Sequence, residues 1–171
     1  MKKIIKLSTI ISIIAMLSIP NNANAYGCRI DEQKAPSWVC MPNVEGYTSA
    51  VVAISKDDVM KHVTEEEAGL RLFIEAFAQL AQRIGTKSLF NDKVNISYKY
   101  LKDGKDLIKN ITLEYENTYV KYTKIGDNTT IEPSSSFSLD KFGKLLEKEK
   151  VLVKTFNTNK SGFLLVGLPV E

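Results

Sequence analysis

The feature that most constrains this fold is a run of apolar residues at helical spacing between Thr64 and Gly85. The apolar positions recur every three or four residues, which is the period of an amphipathic α-helix. They are Leu70, Phe73, Ile74, Phe77, Leu80, Ala81 and Ile84. The other side of this helix carries charged and amide side chains, namely Arg71, Glu75, Gln79, Gln82 and Arg83. The pattern predicts a long helix that lies on a sheet or on other helices.

Both ends of this helix carry boundary signals. Thr64 and Glu67 have the spacing of a capping box, in which each side chain bonds the backbone amide of the other residue. The acidic residues 65–67 place negative charge at the positive end of the helix dipole. Gly85 follows the last apolar position and favours the left-handed conformation that ends many helices. We expect a helix of about 20 residues, roughly 30 Å long.

The first 25 residues have the three-part pattern of a secretory signal peptide. Three lysines precede an uncharged apolar run over residues 7–19, and Ala23 and Ala25 form a small-x-small cleavage site. The apolar run of about 13 residues is shorter than the roughly 20 that a membrane-spanning helix needs. We expect cleavage after Ala25 and export of the remaining chain. A retained membrane anchor is the alternative.

Removal of residues 1–25 leaves 146 of the 171 residues, enough for a single exported domain over residues 26–171. The same cut removes three lysines and no acidic residue, so that 20 basic and 20 acidic residues remain. A chain with balanced charge has no general attraction for polyanions. We therefore expect no nucleic-acid partner.

Cys28 and Cys40 are the only cysteines of the chain. An exported chain meets an oxidising compartment in which such a pair closes, so we expect a disulfide that holds the N-terminal segment. Reactive or metal-binding roles are alternatives, but a single pair lacks the further ligands of a zinc site. Lipid attachment at Cys28 is a third reading, for which the bulky Tyr26 makes a poor signal.

The segments around the long helix carry strand and turn signals. Residues 47–54 predict a mostly buried strand, and residues 94–100 and 107–115 alternate apolar with polar side chains. Asp103-Gly104 is a favoured type I′ turn pair, so the last two segments are expected to form a long hairpin. Residues 126–136 are a loop by composition.

The N-terminal and C-terminal parts complete the predicted architecture. Trp38 lies between Pro36 and Pro42 in what we expect to be an extended segment. Ser138 is the expected N-cap of a short second helix. A final hairpin over residues 151–170 has a last strand that is apolar on both faces, which favours a central place in a sheet. The predicted fold class is α+β: an antiparallel sheet packed against one long helix, with a short second helix before a C-terminal hairpin.

Three short motifs in the N-terminal half resemble those of a known family. They are Pro36-Ser37-Trp38-Val39, Glu45-Gly46-Tyr47-Thr48-Ser49-Ala50-Val51 and Leu80-Ala81-Gln82-Arg83-Ile84. Together they resemble the LPP-twenty family of twenty-kilodalton bacterial outer-membrane lipoproteins, over about residues 35–100. The resemblance implies a small α+β domain on the periplasmic or outer-membrane side. It also implies a protein that is non-catalytic and often self-associating.

Two motifs that suggest chemistry have simpler explanations. His62 follows Asp57 and Asp58, but no ligand spacing defines a metal or acid-base site, and we interpret His62 as a solvated loop residue. Ser138 and Lys141 have the Ser-x-x-Lys spacing of penicillin-recognising enzymes, yet the later motifs of those enzymes are missing. We therefore interpret Ser138 as a helix cap and predict no catalytic residue, metal ligand or cofactor.

The predicted long hairpin is rich in tyrosine and lysine. Tyr98, Tyr100, Tyr115, Lys99 and Lys109 form a candidate binding surface, because aromatic rings beside basic side chains can stack on bases or sugars. Cross-strand pairing of tyrosines and protection of strand edges by lysines explain the same residues without a ligand. A glycan, peptidoglycan or protein partner is the functional reading.

These observations favour a non-catalytic exported protein of the bacterial cell envelope, located in the periplasm or outer membrane or secreted. We expect a structural or assembly module that binds itself or another envelope protein, with peptidoglycan or a membrane surface as further partner classes. A secreted protein that binds a ligand, glycan or host molecule through the hairpin is the alternative. A small envelope hydrolase is the third class.

Overall fold

The computed structural model describes residues 27–58 and 64–170. Strands make up 47% of the structure and helices 26%, and the strands form three separate sheets. The predicted α+β class, with one antiparallel sheet packed against one long helix, is therefore wrong, because the protein is mostly β. The expected cleavage site at Ala23 and Ala25 lies outside the described residues, as does His62.

The N-terminal segment is a small hairpin followed by one helical turn. Strands β1 (Arg29–Ile30) and β2 (Gln33–Lys34) pair antiparallel, and helix α1 spans Ser37–Cys40. The prediction of an extended segment around Trp38 is wrong, because Pro36 stands at the N-cap with a φ of −59° and a ψ of 147° that lead into a helix. Trp38 itself is buried.

A three-stranded antiparallel sheet joins the two ends of the described chain. It contains β3 (Tyr47–Ser55), β9 (Leu152–Asn157) and β10 (Ser161–Pro169), with β10 in the middle. Residues 164–168 of β10 are all buried, which is the pattern of a strand covered on both faces. The predicted final hairpin and the central position of its last strand are therefore confirmed.

A five-stranded antiparallel sheet follows the chain order. Its strands are β4 (Ser88–Leu89), β5 (Val94–Asp103), β6 (Asp106–Tyr115), β7 (Thr118–Ile125) and β8 (Asn128–Pro133). Asp103 pairs with Asp106, so Gly104 and Lys105 form the turn between β5 and β6. Gly104 has a φ of 59° and Lys105 has no positive φ, which indicates a type II′ turn instead of the expected type I′.

Strand β8 occupies a segment for which the composition predicts a loop, and that prediction is wrong for residues 128–133. Gly126, at a φ of 56°, forms a tight turn with Asp127. The β-branched side chains of residues 129–131 then continue as a strand against β7. The turn residues were recognised from composition, but the pairing partner that extends the strand was not.

The long helix α2 spans Glu65–Ile84, and the short helix α3 spans Leu139–Lys148. Both bonds of the Thr64–Glu67 capping box are present, and Gly85 adopts a left-handed φ of 76°. Ser138 caps α3 by accepting a bond from the backbone amide of Lys141. These two helices and their capping residues lie where the local signals predict them.

Helix α2 contacts both of the larger sheets, whereas the predicted fold has a single sheet packed against it. It packs against β3 and β10 on one side and against β5 and β6 on another. Its buried residues cover more than half of the helix circumference, since a turn holds 3.6 residues. They include Ile74, Ala76, Phe77, Ala78, Leu80 and Ala81. Arg71, which the periodicity places on the polar side, is only 6% exposed.

One hydrophobic cluster connects these elements. It contains buried residues of α2, α3 and both larger sheets. Phe142 of α3 lies at its centre, with ring centroids 5.9 Å from Phe77 and 5.7 Å from Tyr115 in edge-to-face arrangements. The core therefore packs against the five-stranded sheet at the end where Tyr115 lies.

Candidate binding surface

Three of the five residues of the candidate binding surface meet on one face of the five-stranded sheet. Tyr98 and Tyr100 continue the alternation of the buried residues Val94 and Ile96, so they share the face that packs on α2. The two rings stack with centroids 6.1 Å apart and an interplanar angle of 30°. Lys109 lies opposite Tyr100 in the β5–β6 register. Tyr100 is 41% exposed, so this group reaches the surface.

The other two residues are placed elsewhere. Tyr115 is on the same face but pairs with Val94 at the far end of the strands, where its ring is buried against Phe142. Lys99 points to the opposite face of the sheet, where it pairs with Asn110. The structure therefore does not bring Tyr115 or Lys99 together with Tyr98, Tyr100 and Lys109.

A row of apolar side chains crosses the opposite face of the sheet. Leu101 pairs with Ile108, and Ile108 pairs with Ile125, so the three residues are neighbours on three adjacent strands. Leu101 is 42% exposed and Ile125 is 47% exposed. We call residues 99–109 and 123–129, which contain this row and two turns, the hairpin end.

The two turns of the hairpin end lie side by side. The carboxylate of Asp106 is so close to Gly126 that a Cβ atom there would lie 3.3 Å from its Oδ1 atom. Lysines outnumber acidic residues in this region by five to three. The lysines are Lys99, Lys102, Lys105, Lys109 and Lys124, and the acidic residues are Asp103, Asp106 and Asp127. The hairpin end is therefore both apolar and net positive.

The apolar row was missed from the sequence, although one signal for it exists. In β5 the buried set has even numbers, whereas Leu101 is odd, and in β6 Ile108 is likewise out of step with Ile111 and Leu113. Apolar residues that are out of phase with the core face must lie on the outer face. Their alignment into a row depends on the register, which the alternation alone does not specify.

A cluster of buried polar side chains between α2 and β7 was also not predicted from the sequence. The Cζ atom of Arg71 lies 5.6 Å from the ring centroid of Tyr122, and its Nε atom lies 4.0 Å from Oε1 of Glu75. Among the described residues, neither the Arg71 Nε atom nor the Tyr122 hydroxyl has a hydrogen-bond partner. The i, i+4 spacing of Arg71 and Glu75 was the available signal, but it is equally common on solvent-exposed helices.

Burial sets the protonation of the tyrosines on this face. Burial raises the pKa of Tyr122 well above its usual value, the Glu75 carboxylate raises it further, and Arg71 opposes this. Burial also raises the pKa of Tyr100, against the smaller opposing effect of the Gln82 side chain. Both hydroxyls therefore stay protonated near neutral pH, where they can donate hydrogen bonds but cannot act as bases.

Two hollows lie at the other end of the sheet from the hairpin end. One, of about 310 Å³, is lined by the β6–β7 turn together with Ser138 and Lys141. The second, of about 550 Å³, shares residues 115–118 and extends to Asp92. The Ser138 hydroxyl oxygen accepts a hydrogen bond from the backbone amide of Lys141, with 3.3 Å between the oxygen and nitrogen atoms. This bond agrees with the predicted role of Ser138 as a helix cap.

The cysteine pair forms the expected disulfide between Cys28 and Cys40, with Cα atoms 5.9 Å apart. Within residues 27–58 and 64–170, no three His, Cys, Asp or Glu side chains group closely enough to hold a metal ion. In the same part of the chain, no helix is long and apolar enough to cross a membrane.

Comparison with models of known protein families, with characterised proteins and with solved structures finds no match to this chain. The resemblance of residues 35–100 to the LPP-twenty family therefore stays a prediction based on short motifs.

Proposed function

We propose that this chain is a non-catalytic exported protein of the bacterial cell envelope, a structural or assembly module that works by binding through its hairpin end. The observation that carries this proposal is the concentration of exposed apolar side chains at that end. Among the described residues, four of the eight large hydrophobic side chains that are exposed belong to it. They are Tyr100, Leu101, Leu107 and Ile125.

Exposed apolar side chains that cluster on a soluble domain commonly mark a contact surface, because water is expelled when a partner covers them. At the hairpin end they lie on three adjacent strands held in register by backbone hydrogen bonds, with Leu101 and Ile125 on one face of the sheet and Tyr100 and Leu107 on the other. Such a surface needs little ordering when it binds, so little conformational entropy is lost. The signal-peptide pattern of residues 1–25 supports an envelope location for this binding.

Fractionation of cells that express the chain with its own first 25 residues tests this function. We expect cleavage after Ala25, a mass two protons below that of the reduced form, and recovery with the envelope, where cross-linking captures a partner.

Leu101→Ser combined with Ile125→Ser should reduce the captured fraction by about tenfold, since burial of the two side chains contributes a few kcal/mol at most. Ile84→Ser is the matched control, because Ile84 at the end of α2 is also 47% exposed.

Two outcomes would contradict the proposal. One is an unprocessed chain in the cytosol, and the other is a processed monomer, by light scattering, that captures no envelope partner. A reaction catalysed by the purified chain would contradict its non-catalytic character.

The stacked Tyr98 and Tyr100 rings favour a second candidate function, which is the binding of a glycan by a secreted chain. Sugar rings pack on exposed aromatic faces, and Lys109 lies opposite Tyr100 to donate hydrogen bonds. On a glycan array, Tyr100→Ala should abolish binding. Tyr119→Ala is the matched control, because Tyr119 is 39% exposed on the opposite face of the sheet. Equal binding by the two variants would exclude this function.

A further inference from the structure

We propose that the Tyr100–Lys109–Lys124 row of the hairpin end binds an acidic glycan, that is, a chain of sugars that carry carboxylate groups. The inference rests on glycan binding, the second candidate of the proposed function, and names the chemical class of that glycan. Its elements are the charge of one sheet face, a pair of directly opposed lysines and the stacked tyrosine rings beside them.

The charged side chains of β5, β6, β7 and β8 are divided unequally between the two faces of the sheet. On the face that packs on α2, the register places three lysines and, among the described residues of these strands, no acidic residue. The three are Lys102, Lys109 and Lys124. The opposite face holds two lysines and all four acidic residues of the strands, namely Lys99, Lys121, Asp103, Asp106, Glu114 and Glu132. The positive charge of the sheet is therefore concentrated on the face that packs on α2.

Two of these lysines are placed against each other. Lys109 of β6 lies directly opposite Lys124 of β7, and both side chains are half-buried. The Cβ atoms of such a pair are about 5 Å apart, and like charges at this distance destabilise a sheet. Within the described part of the chain, neither lysine forms a salt bridge. An anionic group above the pair would remove the repulsion and accept hydrogen bonds from both ammonium groups.

Helix α2 borders the row without neutralising it. The Gln82 side chain acts on the Tyr100 hydroxyl, and the Cζ atom of Arg71 lies 5.6 Å from the ring centroid of Tyr122, two residues before Lys124. The Glu75 carboxylate also faces these tyrosines, but the Arg71 Nε atom lies 4.0 Å from it. Because the charges of Arg71 and Glu75 cancel, the excess of three positive charges on the sheet face remains.

The aromatic and apolar side chains beside the lysines favour a sugar as the carrier of the negative charge. Tyr98 and Tyr100 stack on each other, and Tyr100 and Leu107 are 41% and 49% exposed on the same face as the lysines. Sugar rings pack their C–H groups on such surfaces, while their hydroxyls bond the phenol and amide groups. A neutral glycan would leave the opposed lysines without a counter-charge, and an anion without rings would leave the tyrosines unused. An acidic glycan satisfies both groups.

Calorimetric titration of the processed chain tests this inference. The probe is an oligogalacturonate, and its control is the same oligosaccharide with every carboxylate methyl-esterified, which keeps the rings and removes the charge. We expect binding of the acid and at least about tenfold weaker binding of the ester, since two ion pairs are lost. Binding of the acid should weaken as the salt concentration rises, because salt screens the lysines.

Two pairs of lysines on the same sheet provide matched variants. Lys109→Gln combined with Lys124→Gln should weaken binding of the acid by about tenfold. Lys99→Gln combined with Lys121→Gln should leave binding unchanged, because these two residues lie on the opposite face and their replacement removes the same total charge. In urea denaturation, the Lys109/Lys124 variant should be at least as stable as the unmodified chain, since the repulsion between the two ammonium groups is lost.

Three results would overturn the acidic glycan. They are equal binding of the acid and the ester, equal effects of the two lysine pairs, and equally tight binding of a polyglutamate peptide, which would show that the face selects charge without a sugar.

Failure of this inference is distinct from failure of the proposed function. If the ester binds as tightly as the acid and Tyr100→Ala abolishes both, glycan binding is supported and only the acidic class is excluded. If neither oligosaccharide binds but cross-linking through the hairpin end captures an envelope protein, the acidic glycan is excluded and the envelope module is still supported. A chain that binds neither glycan nor envelope protein would overturn both.

Discussion

Tyr122 buries its hydroxyl group beside α2 without a hydrogen-bond partner among the described residues. A buried polar group without a partner has lost its bonds to water and costs about 1–3 kcal/mol. We therefore expect Tyr122→Phe to raise the free energy of unfolding by about 1 kcal/mol in urea denaturation. Tyr119→Phe, at an exposed tyrosine, should have no measurable effect. A loss of stability in Tyr122→Phe would show that the hydroxyl is bonded.

Tyr122 also makes the stability of the folded protein decrease as the pH rises into the alkaline range. The pKa of Tyr122 is raised above its usual value of 10.0, chiefly by burial. Above pH 10 the unfolded chain releases this proton while the folded chain keeps it, so the folded state binds more protons and stability falls as the pH rises. Below pH 10 Tyr122 is protonated in both the folded and the unfolded state, so its ionisation does not change the stability there.

Denaturation of the unmodified chain and of Tyr122→Phe at about pH 8 and about pH 11 measures this contribution. The unmodified chain should lose more stability between the two values, by at most about 1.4 kcal/mol for each pH unit above 10. Tyr100 acts in the same direction in both proteins, since burial also raises its pKa. Equal losses in the two proteins would mean that Tyr122 ionises as readily when folded as when unfolded.

At the scale of the elements, Gly85 at the end of α2 and Gly143 in the middle of α3 separate the effect of backbone conformation from that of packing. Gly85 ends α2 with a φ of 76°, and a Cβ atom there would meet nothing within 4 Å. Gly143 lies within α3, also has open space around a Cβ atom, and has a negative φ. Any difference between alanine substitutions at the two sites therefore comes from the backbone.

We expect Gly85→Ala to lower the free energy of unfolding by about 1 kcal/mol, because the left-handed conformation is unfavourable for residues with a side chain. Gly143→Ala should raise it by about 0.8 kcal/mol, which is the difference in helix propensity. Thermal denaturation of the two variants, followed by circular dichroism at 222 nm, a standard helix band, gives the comparison. Shifts in the same direction would contradict this account of the α2 C-terminus.

At the scale of the whole molecule, the disulfide links a segment that lies outside the main core. Trp38 and Ala35 are buried, but neither belongs to the hydrophobic cluster around α2. The segment is held by the Cys28–Cys40 bridge and by a hydrogen bond from the Thr158 hydroxyl to Asp31. Reduction should therefore loosen this segment before the sheets unfold.

Replacement of both cysteines by alanine should lower the free energy of unfolding by about 3 kcal/mol, because the closed loop spans a sequence separation of 12 residues. Trp38 fluorescence should shift to the red, whereas far-UV circular dichroism should change little. The unmodified chain under dithiothreitol should behave like the double variant. Loss of sheet signal under native conditions would show instead that the bridge supports the whole fold.

The fold class is the property that the sequence predicted least well. A helical period showed that α2 has an apolar face, but not that Arg71 on the other side is also covered. Strand alternation predicted β5 and β6, but it did not predict that β7 and β8 would extend the same sheet. The extent of burial and the extent of a sheet both depend on partners that are distant in the chain.

The structure brings together three of the five residues that the sequence suggested as a binding surface. Tyr98, Tyr100 and Lys109 do converge, because an alternating strand puts every second residue on one face and the hairpin sets the pairing. Tyr115 obeys the same alternation but reaches the core at the opposite end of the sheet. What separates Tyr115 from the other residues is its position along the strand relative to the helices that pack on the sheet. The alternation of apolar and polar residues does not encode that position.

Local residue patterns were sufficient to predict the capped helix α2, the N-cap at Ser138, the final hairpin and the cysteine pair that forms a bridge. Each depends on residues a few positions apart, or on a single pair with no alternative partner. Only the three-dimensional pairing of the strands divides them into separate sheets around α2 and aligns Leu101, the half-buried Ile108 and Ile125 in one row. Those outcomes depend on which strands pair and in what register, and that choice minimises exposed apolar surface and unpaired backbone over the whole chain.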